Sequence, residues 1–356
     1  MIQKKQLFIL FFLVQIIMIQ FLKFFPSVVE QYYSNKLFVY ISTFLRTIFG
    51  SIPISVGDLV YSCLILFLIS TIWNVRKKWK LNWKSHFLQA VNFVAFIYFL
   101  FYFLWALNYY RKPLFEKMKI ENVYSDQELY LFTEKLITKT NQIQFEITKK
   151  KNLKVVVPIS EADLIKQAQI GYDNLSNKYS FFRYQIPSIK KSLFSIPLSY
   201  MGFSGYLNPF TNEAQYNSQV PKYGLPMTIC HEMAHQIGYA SESECNFIGF
   251  LAAIKNDNLY FRYAANTLAL KYCLRIIQNQ NQDKAKLYRN KINAGIIDNF
   301  NDDKQFYLKY HTFIETGFEI FYDNFLKLNQ QKEGIESYSK FLDLLINYNK
   351  LHPNYR

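Results

Sequence analysis

The sequence predicts an α+β, mostly helical protein, in which an N-terminal membrane region of three transmembrane helices precedes a larger domain with a small sheet. Three observations predict it. Apolar runs of membrane-crossing length are confined to residues 1–112 of the 356. Helical apolar periodicity, opened by capping residues, dominates from Asp126 to the end. Between Tyr184 and Ser218 the pattern changes to short β-rich pieces punctuated by Gly202, Gly205 and Pro209.

The membrane region, residues 1–112, comes first. Leu7 to Phe25 is an apolar run broken only by Gln15, Gln20 and Lys23. It reads as an uncleaved span, because no small-x-small site follows and Phe24-Phe25-Pro26 is a poor cleavage context. Val28 to Phe49 carries spaced aromatics and aliphatics before Gly50; it is expected to be an interfacial amphipathic helix, with a plain connector as the alternative. The other two runs give spans at about 54–73 and 87–107. Each of the three is near the roughly 20 residues a crossing helix needs.

Charge orients the spans. Residues 1–112 hold 12 of the 41 Lys and Arg residues, against only Glu30 and Asp58. Lys4 and Lys5 precede the first span, and Arg76, Lys77, Lys78, Lys80 and Lys84 join the second to the third. The positive-inside rule then places the N-terminus in the cytoplasm and residues 113–356 outside it. Trp73 and Trp79 on one side, and Trp105, Tyr109 and Tyr110 on the other, read as aromatic belts. Most of the net charge of +15 therefore flanks the membrane. No basic stripe with interleaved aromatics marks residues 113–356, so no nucleic-acid partner is expected. The spans carry few ionisable residues, chiefly Lys23 and Asp58, which argues against a transporter or channel.

In the larger domain, helices are expected at Asp126–Ile147, from a Ser160 cap to about Tyr179, and from Pro226 onward. Later ones are expected at Asn258–Gln278, Gln282–Ile292, Lys304–Leu328 and Gly334–Asn349. The helix from Pro226 carries the chemistry. Cys230-His231-Glu232-Met233-Ala234-His235 is the His-Glu-x-x-His pattern, which sets two imidazoles one turn apart with a carboxylate beside them. Two neutral imidazoles suit Zn2+, and Glu232 is placed to take a proton from a metal-bound water as it attacks a carbonyl. Gly238 can end this helix in a left-handed C-cap.

The third ligand is Glu242 or Glu244. Ser241-Glu242-Ser243-Glu244 has the form of a capping box, which would occupy Glu244. A short link through Gly238, Tyr239 and Ala240 folds two helices into a hairpin that sets Glu242 beside His235 and Asn246 beside His231. Glu242 is therefore the favoured ligand and Asn246 the residue that orients His231. Cys230 and Cys245 flank the site as buried packing residues, with a disulfide between them conceivable. Cys63 and Cys273 read as packing.

The spacing Glu242-x-x-Cys245-Asn246 after His231-Glu232-x-x-His235 resembles the gluzincin peptidases. Further segments are Tyr32-Tyr33-Ser34-Asn35, Ser55-Val56-Gly57-Asp58-Leu59, Gly205 through Ala214, and Glu333-Gly334-Ile335-Glu336-Ser337-Tyr338. With the site itself they resemble an uncharacterised bacterial membrane family, domain of unknown function 3810, placed among the zincin-like peptidases. That resemblance implies a zincin-like zinc-binding fold and supplies no substrate. It further implies that the strand before the motif helix forms a sheet edge for an extended peptide, with Phe210, Thr211 and Asn212 as the candidates to line the cleft and a surface hairpin without function as the alternative. Zincins often use a distant Tyr or His on the oxyanion, for which Tyr338 is the candidate. His311, on an aromatic helical face, reads instead as a satisfied core residue.

The expectation is thus a multi-pass protein of the bacterial cytoplasmic membrane, bound to the lipid bilayer, with an extracytoplasmic zincin-like domain over 113–356. It would be a zinc-dependent hydrolase, a peptidase acting on a peptide or protein substrate in the cell envelope. The alternative is a zincin-derived, non-catalytic sensor or scaffold.

Overall fold

Helical backbone runs through most of the chain, joined by a three-stranded sheet. This computed structural model describes residues 2–76, 79–329, 331 and 338–353, with side chains for 10–76, 82–329, 331 and 340–353. Helix α1 (Ile2–Leu22) is followed by α2 (Pro26–Val28), which continues through a π-helical segment (Val29–Leu37) into α3 (Phe38–Gly50). Then come α4 (Val56–Arg76) and α5 (Trp79–Leu104). Helix α4 and the Asn82–Leu104 part of α5 are each long and apolar enough to cross a membrane. Leu10–Leu22 and Pro26–Gly50 pass the same test only as a pair, bent by 99°, so two or three such helices are present.

The bend has a purpose that the sequence did not reveal. Residues 26–50 are helical up to Gly50 as expected, but they pack into the larger domain. Glu30, Ser34, Phe38, Ser42 and Arg46, four residues apart, are all buried. In an α-helix a step of four overshoots one turn. In the π-helical segment, closed by wider bonds, it falls short. The opposed drifts keep all five side chains on one face. Ser42 Oγ lies 3.0 Å from both the Gln236 carbonyl and Asn212 Oδ1, and the Arg46 guanidinium stands 5.0 Å over the Tyr184 ring. The expected boundary at residue 112 therefore does not isolate this segment.

Nor are Trp105 and Tyr110 a lipid-facing belt. Both are buried, and the 3-10 turn Ala106–Tyr110 continues inward from α5. Indole and phenol rings are amphipathic wherever they lie, so sequence alone could not separate a headgroup position from a domain contact.

Helix α6 (Leu114–Met118) leads to α7 (Asp126–Thr148) and α8 (Glu161–Ser176). Ser125 and Glu128 close a reciprocal capping box on α7, and Ser160 accepts from the Asp163 amide on α8. The β-rich stretch supplies β1 (Ile189–Lys191), β2 (Gly205–Leu207) and β3 (Ala214–Tyr216), with a short helix α9 (Ser195–Tyr200) that the pattern did not predict. The strand order is β1-β3-β2. β1 runs parallel to β3 with Ile189 opposite Ala214, and β2 is antiparallel with Gly205 opposite Tyr216. β3 is buried at every residue, and β2 is an edge.

Next comes the hairpin of α10 (Leu225–Gln236) and α11 (Glu242–Ile254), then α12 (Leu259–Gln280) and α13 (Gln282–Asn290). The single helix expected over Lys304–Leu328 is two, α14 (Ala294–Tyr310) and α15 (Phe313–Leu328). His311 is extended, and the Thr312 side chain caps α15 by accepting from the Ile314 amide, which stops one helix and starts the next. His311 is exposed and 2.6 Å from Glu315, so it is not a core residue. Helix α16 (Tyr338–Leu351) packs on α11. The α10–α11 hairpin sits at the centre, enclosed by α8, α12, α16 and β3. Phe247 and Phe250, fully buried, contribute about 1.5–3 kcal/mol each by leaving water.

Candidate metal centre

Two helix ends build the centre. Pro226 lies in the first turn of α10, where its missing N–H costs nothing. At the other end the Tyr239 amide donates to the Ala234 carbonyl and the Gly238 amide to the His235 carbonyl, a Schellman-type stop. Gly238 has φ +87°, and a Cβ there would sit 2.9 Å from the Phe38 ring. Both the backbone and the neighbour require glycine. The short turn that follows brings α11 back alongside α10.

That return places three ligand-type side chains together. His231 Nε2 and His235 Nε2 are 3.1 Å apart, and the Glu242 carboxylate lies 3.2 Å from the first and 3.7 Å from the second. The other ring nitrogens are committed elsewhere. His231 Nδ1 is 2.9 Å from Asn246 Oδ1, and His235 Nδ1 is 2.8 Å from the Tyr239 carbonyl. Asn246 Nδ2 donates to Tyr272 Oη, which turns its oxygen toward His231. Both acceptors put the ring hydrogen on Nδ1, so both Nε2 lone pairs face one point with a carboxylate beside it. Two lone pairs at that separation repel unless a cation lies between them.

The donor set fits zinc. Bonds of about 2.0–2.1 Å at tetrahedral angles set neighbouring ligand atoms about 3.3–3.4 Å apart, close to the separations found. The electrostatics agree. Burial works against charge on Glu242, yet His235 and His231 hold its carboxyl well below the usual range. Burial likewise disfavours a charged His235, while Cys245 and Glu242 together lift it well above the usual imidazole value. Since burial pushes the Cys245 thiol to about 11, that thiol is uncharged, and Glu242 is the effective partner. The cluster favours positive charge at its centre.

Glu232 stands apart from the ligands. Burial raises its carboxyl to about 6 against the pull of the histidines, and among the described residues its Oε2 has no hydrogen-bond partner. A Cβ on Gly205 would lie 2.7 Å from Glu232 Oε1, so the edge strand β2 runs directly beside this carboxylate. Tyr322 was not singled out by sequence, yet its hydroxyl donates to Glu242 Oε1 at 2.7 Å. Nothing marked it among 28 tyrosines; only the break at Thr312, which turns α15 toward the site, could have pointed there.

Other expected site residues fall elsewhere. The Ser241 capping box does not form. Glu244 Oε1 instead accepts from the Leu114 amide at 2.6 Å, starting α6, and burial raises its carboxyl to about 7. Glu244 is not in the ligand cluster. Thr211 and Asn212 do not line a cleft. Both are buried in the β2–β3 turn, with Thr211 Oγ1 on Glu213 and the Asn212 carbonyl accepting from Gln236 Nε2. Phe210 is half-buried and stands edge-on to Tyr61 on α4. The turn lies past the far end of β2 from Glu232, which is why these residues miss the centre. The Tyr338 side chain lies outside the described residues. Cys230 and Cys245 are both free thiols, as are Cys63 and Cys273. Cys63 is exposed on α4, so it is not a packing residue.

Asn246 gives a direct test of this geometry. Asn246→Ala is expected to weaken zinc binding about 10–100-fold by releasing the His231 ring, measured by competition with a chromogenic chelator. Unchanged affinity would contradict the orienting role.

The sequence profile of the family described as Protein of unknown function (DUF3810) matches residues 33–346, a range that holds the whole candidate centre. No curated protein and no solved structure matches the chain. With most of its length matched, the chain belongs to the DUF3810 family.

Proposed function

We propose that this protein is a membrane-anchored, zinc-dependent hydrolase of the peptidase class, with a zincin-like site acting on a peptide or protein substrate in the cell envelope. The observation that carries this reading is the convergence of His231 Nε2, His235 Nε2 and Glu242, with both Nδ1 hydrogens committed elsewhere. A zinc ion held there supplies Lewis acidity, polarising a carbonyl and making a water acidic near neutral pH. Glu232, buried and raised to about 6, takes a proton from the attacking water and returns it to the leaving amine. The edge strand β2 offers backbone for an extended peptide beside Glu232. The Tyr322 hydroxyl donates to Glu242 Oε1 and so orients this ligand carboxylate, while Tyr338 keeps its expected role at the developing oxyanion.

In this reading α1 is the third span. It lies along α5 through Phe11 against Phe99 and Phe12 against Tyr98. With the N-terminus cytoplasmic, the metal centre is extracytoplasmic, at the bacterial cytoplasmic membrane. One observation favours the non-catalytic sensor or scaffold: Tyr322 covers Glu242, whose side chain is only 27% exposed. Metal removal separates the readings. Purified full-length protein should degrade fluorescein-labelled casein, lose that activity with 1,10-phenanthroline, and regain it with one equivalent of zinc. Metal-loaded protein without activity would favour the scaffold.

A further inference from the structure

Helix α15 presents two apolar faces. Its inner face carries Phe318 and Tyr322 against Phe203, and Phe325 against Tyr109. Its outer face holds Phe313, Ile320, Phe321 and Leu328, between 62% and 86% exposed. Four exposed apolar side chains of this size on one face of a helix are unusual on a surface that meets only water. Leu193, two residues before α9, and Ile196 in its first turn are also exposed, and α9 reaches α14 through Tyr200 against Tyr310.

This apolar strip is tied to the membrane-crossing helices at both ends. The Leu193 amide donates to Asp58 Oδ2 at 2.7 Å, in the first turn of α4. At the other end Phe325 packs on Phe101, and Tyr102 Oη donates to Asn329 at 2.8 Å, in the last turn of α5. These are the ends of two helices apolar enough to cross a membrane, on the side that meets the domain. A strip pinned to both must lie at that bilayer boundary.

We propose that the outer face of α15, with the start of α9, is seated in the lipid bilayer, so that the metal centre opens at the membrane surface and takes membrane-anchored or membrane-emerging polypeptides as substrates. The seat follows from the pinned strip, and the substrate class rests also on the hydrolase reading above. Tyr322 links the two. The helix that touches lipid on one side covers Glu242 on the other, so a polypeptide at the boundary reaches β2 where α15 yields.

The test uses full-length protein in phosphatidylcholine vesicles. On a Cys63→Ser background, Phe321→Cys and, separately, Leu287→Cys on α13 are labelled with a bimane fluorophore. Lipids carrying a nitroxide on the acyl chain are expected to quench most of the emission at 321 and little at 287. Equal weak quenching at both would overturn the seat, as would a 321 signal that changes only with protein concentration, which would place a second copy on this face. In a second arm, zinc-loaded protein is given casein bearing self-quenched fluorescein, with or without a palmitoyl chain. The anchored form should be cleaved roughly 10²-fold faster at equal concentration, through its higher local concentration. Equal rates would overturn the substrate class. Cleavage of neither form would overturn the hydrolase reading and the substrate class with it, while lipid quenching would still decide the seat.

Discussion

Glu232→Gln is expected to leave zinc binding intact while lowering turnover by about 10²–10⁴-fold, the usual contribution of a positioned general base. The isosteric amide keeps the volume beside Gly205 but cannot accept a proton from water. Because Glu232 lies outside the cluster of His231, His235 and Glu242, metal content measured by emission spectroscopy should stay at one equivalent. Loss of zinc together with activity would instead make Glu232 a ligand. Retained activity would remove it from the chemistry.

The second large effect is structural and lies behind the centre. Arg111 is buried, donates to both carboxylate oxygens of Glu30 at 2.8 and 2.9 Å, and also donates to the Gly238 carbonyl, in the link between the two ligand helices. Lys117 joins Glu30 at 2.7 Å. Glu30→Ala leaves a buried guanidinium without its carboxylate, for which a loss of about 3–5 kcal/mol is expected. That is a large share of an ordinary domain's stability. Chemical unfolding in detergent micelles reads it, and a loss below about 1 kcal/mol would contradict the role.

The pair also sets a pH window. Burial raises the Glu30 carboxyl, but Arg111 and Lys117 outweigh it and bring it from 4.5 to about 2. A carboxyl lowered on folding stabilises the protein above its unfolded value. That contribution is lost as pH falls from about 4.5 toward 2. Glu30→Ala should flatten stability against pH across that window.

Much of the centre was legible in the sequence because helix geometry is local. His231 and His235 share a face by spacing alone, Gly238 marks the stop, and a link of a few residues leaves the second helix little choice but to return antiparallel. Glu242 and Asn246 follow from that return. The position of Glu244 off the cluster was also legible, but its role was not. The capping-box pattern is local, whereas its actual partner, the Leu114 amide, is far away in sequence. Gln331 meets the Glu242 amide instead, at 3.4 Å.

Long-range pairing also explains the other gaps. The four-residue spacing from Glu30 to Arg46 is visible in the sequence, but what it faces is not. Its mixture of Glu, Ser, Phe and Arg resembles a solvated helix until Arg111, Gly238 and Gln236 are set against it. Asp58 and Glu213 were read as a span residue and a family match. They join α4 to the sheet, Asp58 through Ser192, Leu193 and Tyr206, and Glu213 through Lys190 and the Val56 and Gly57 amides. Aromatics at 105–110 fit a headgroup belt and a domain contact equally well, and only tertiary packing decides between them.

Zinc-edge X-ray absorption of the full-length protein tests the centre most directly. One zinc per chain is expected, with nitrogen and oxygen neighbours at about 2.0–2.2 Å and imidazole outer-shell scattering from two histidines. A sulfur neighbour at about 2.3 Å, or a chain that retains no zinc at all, would contradict it.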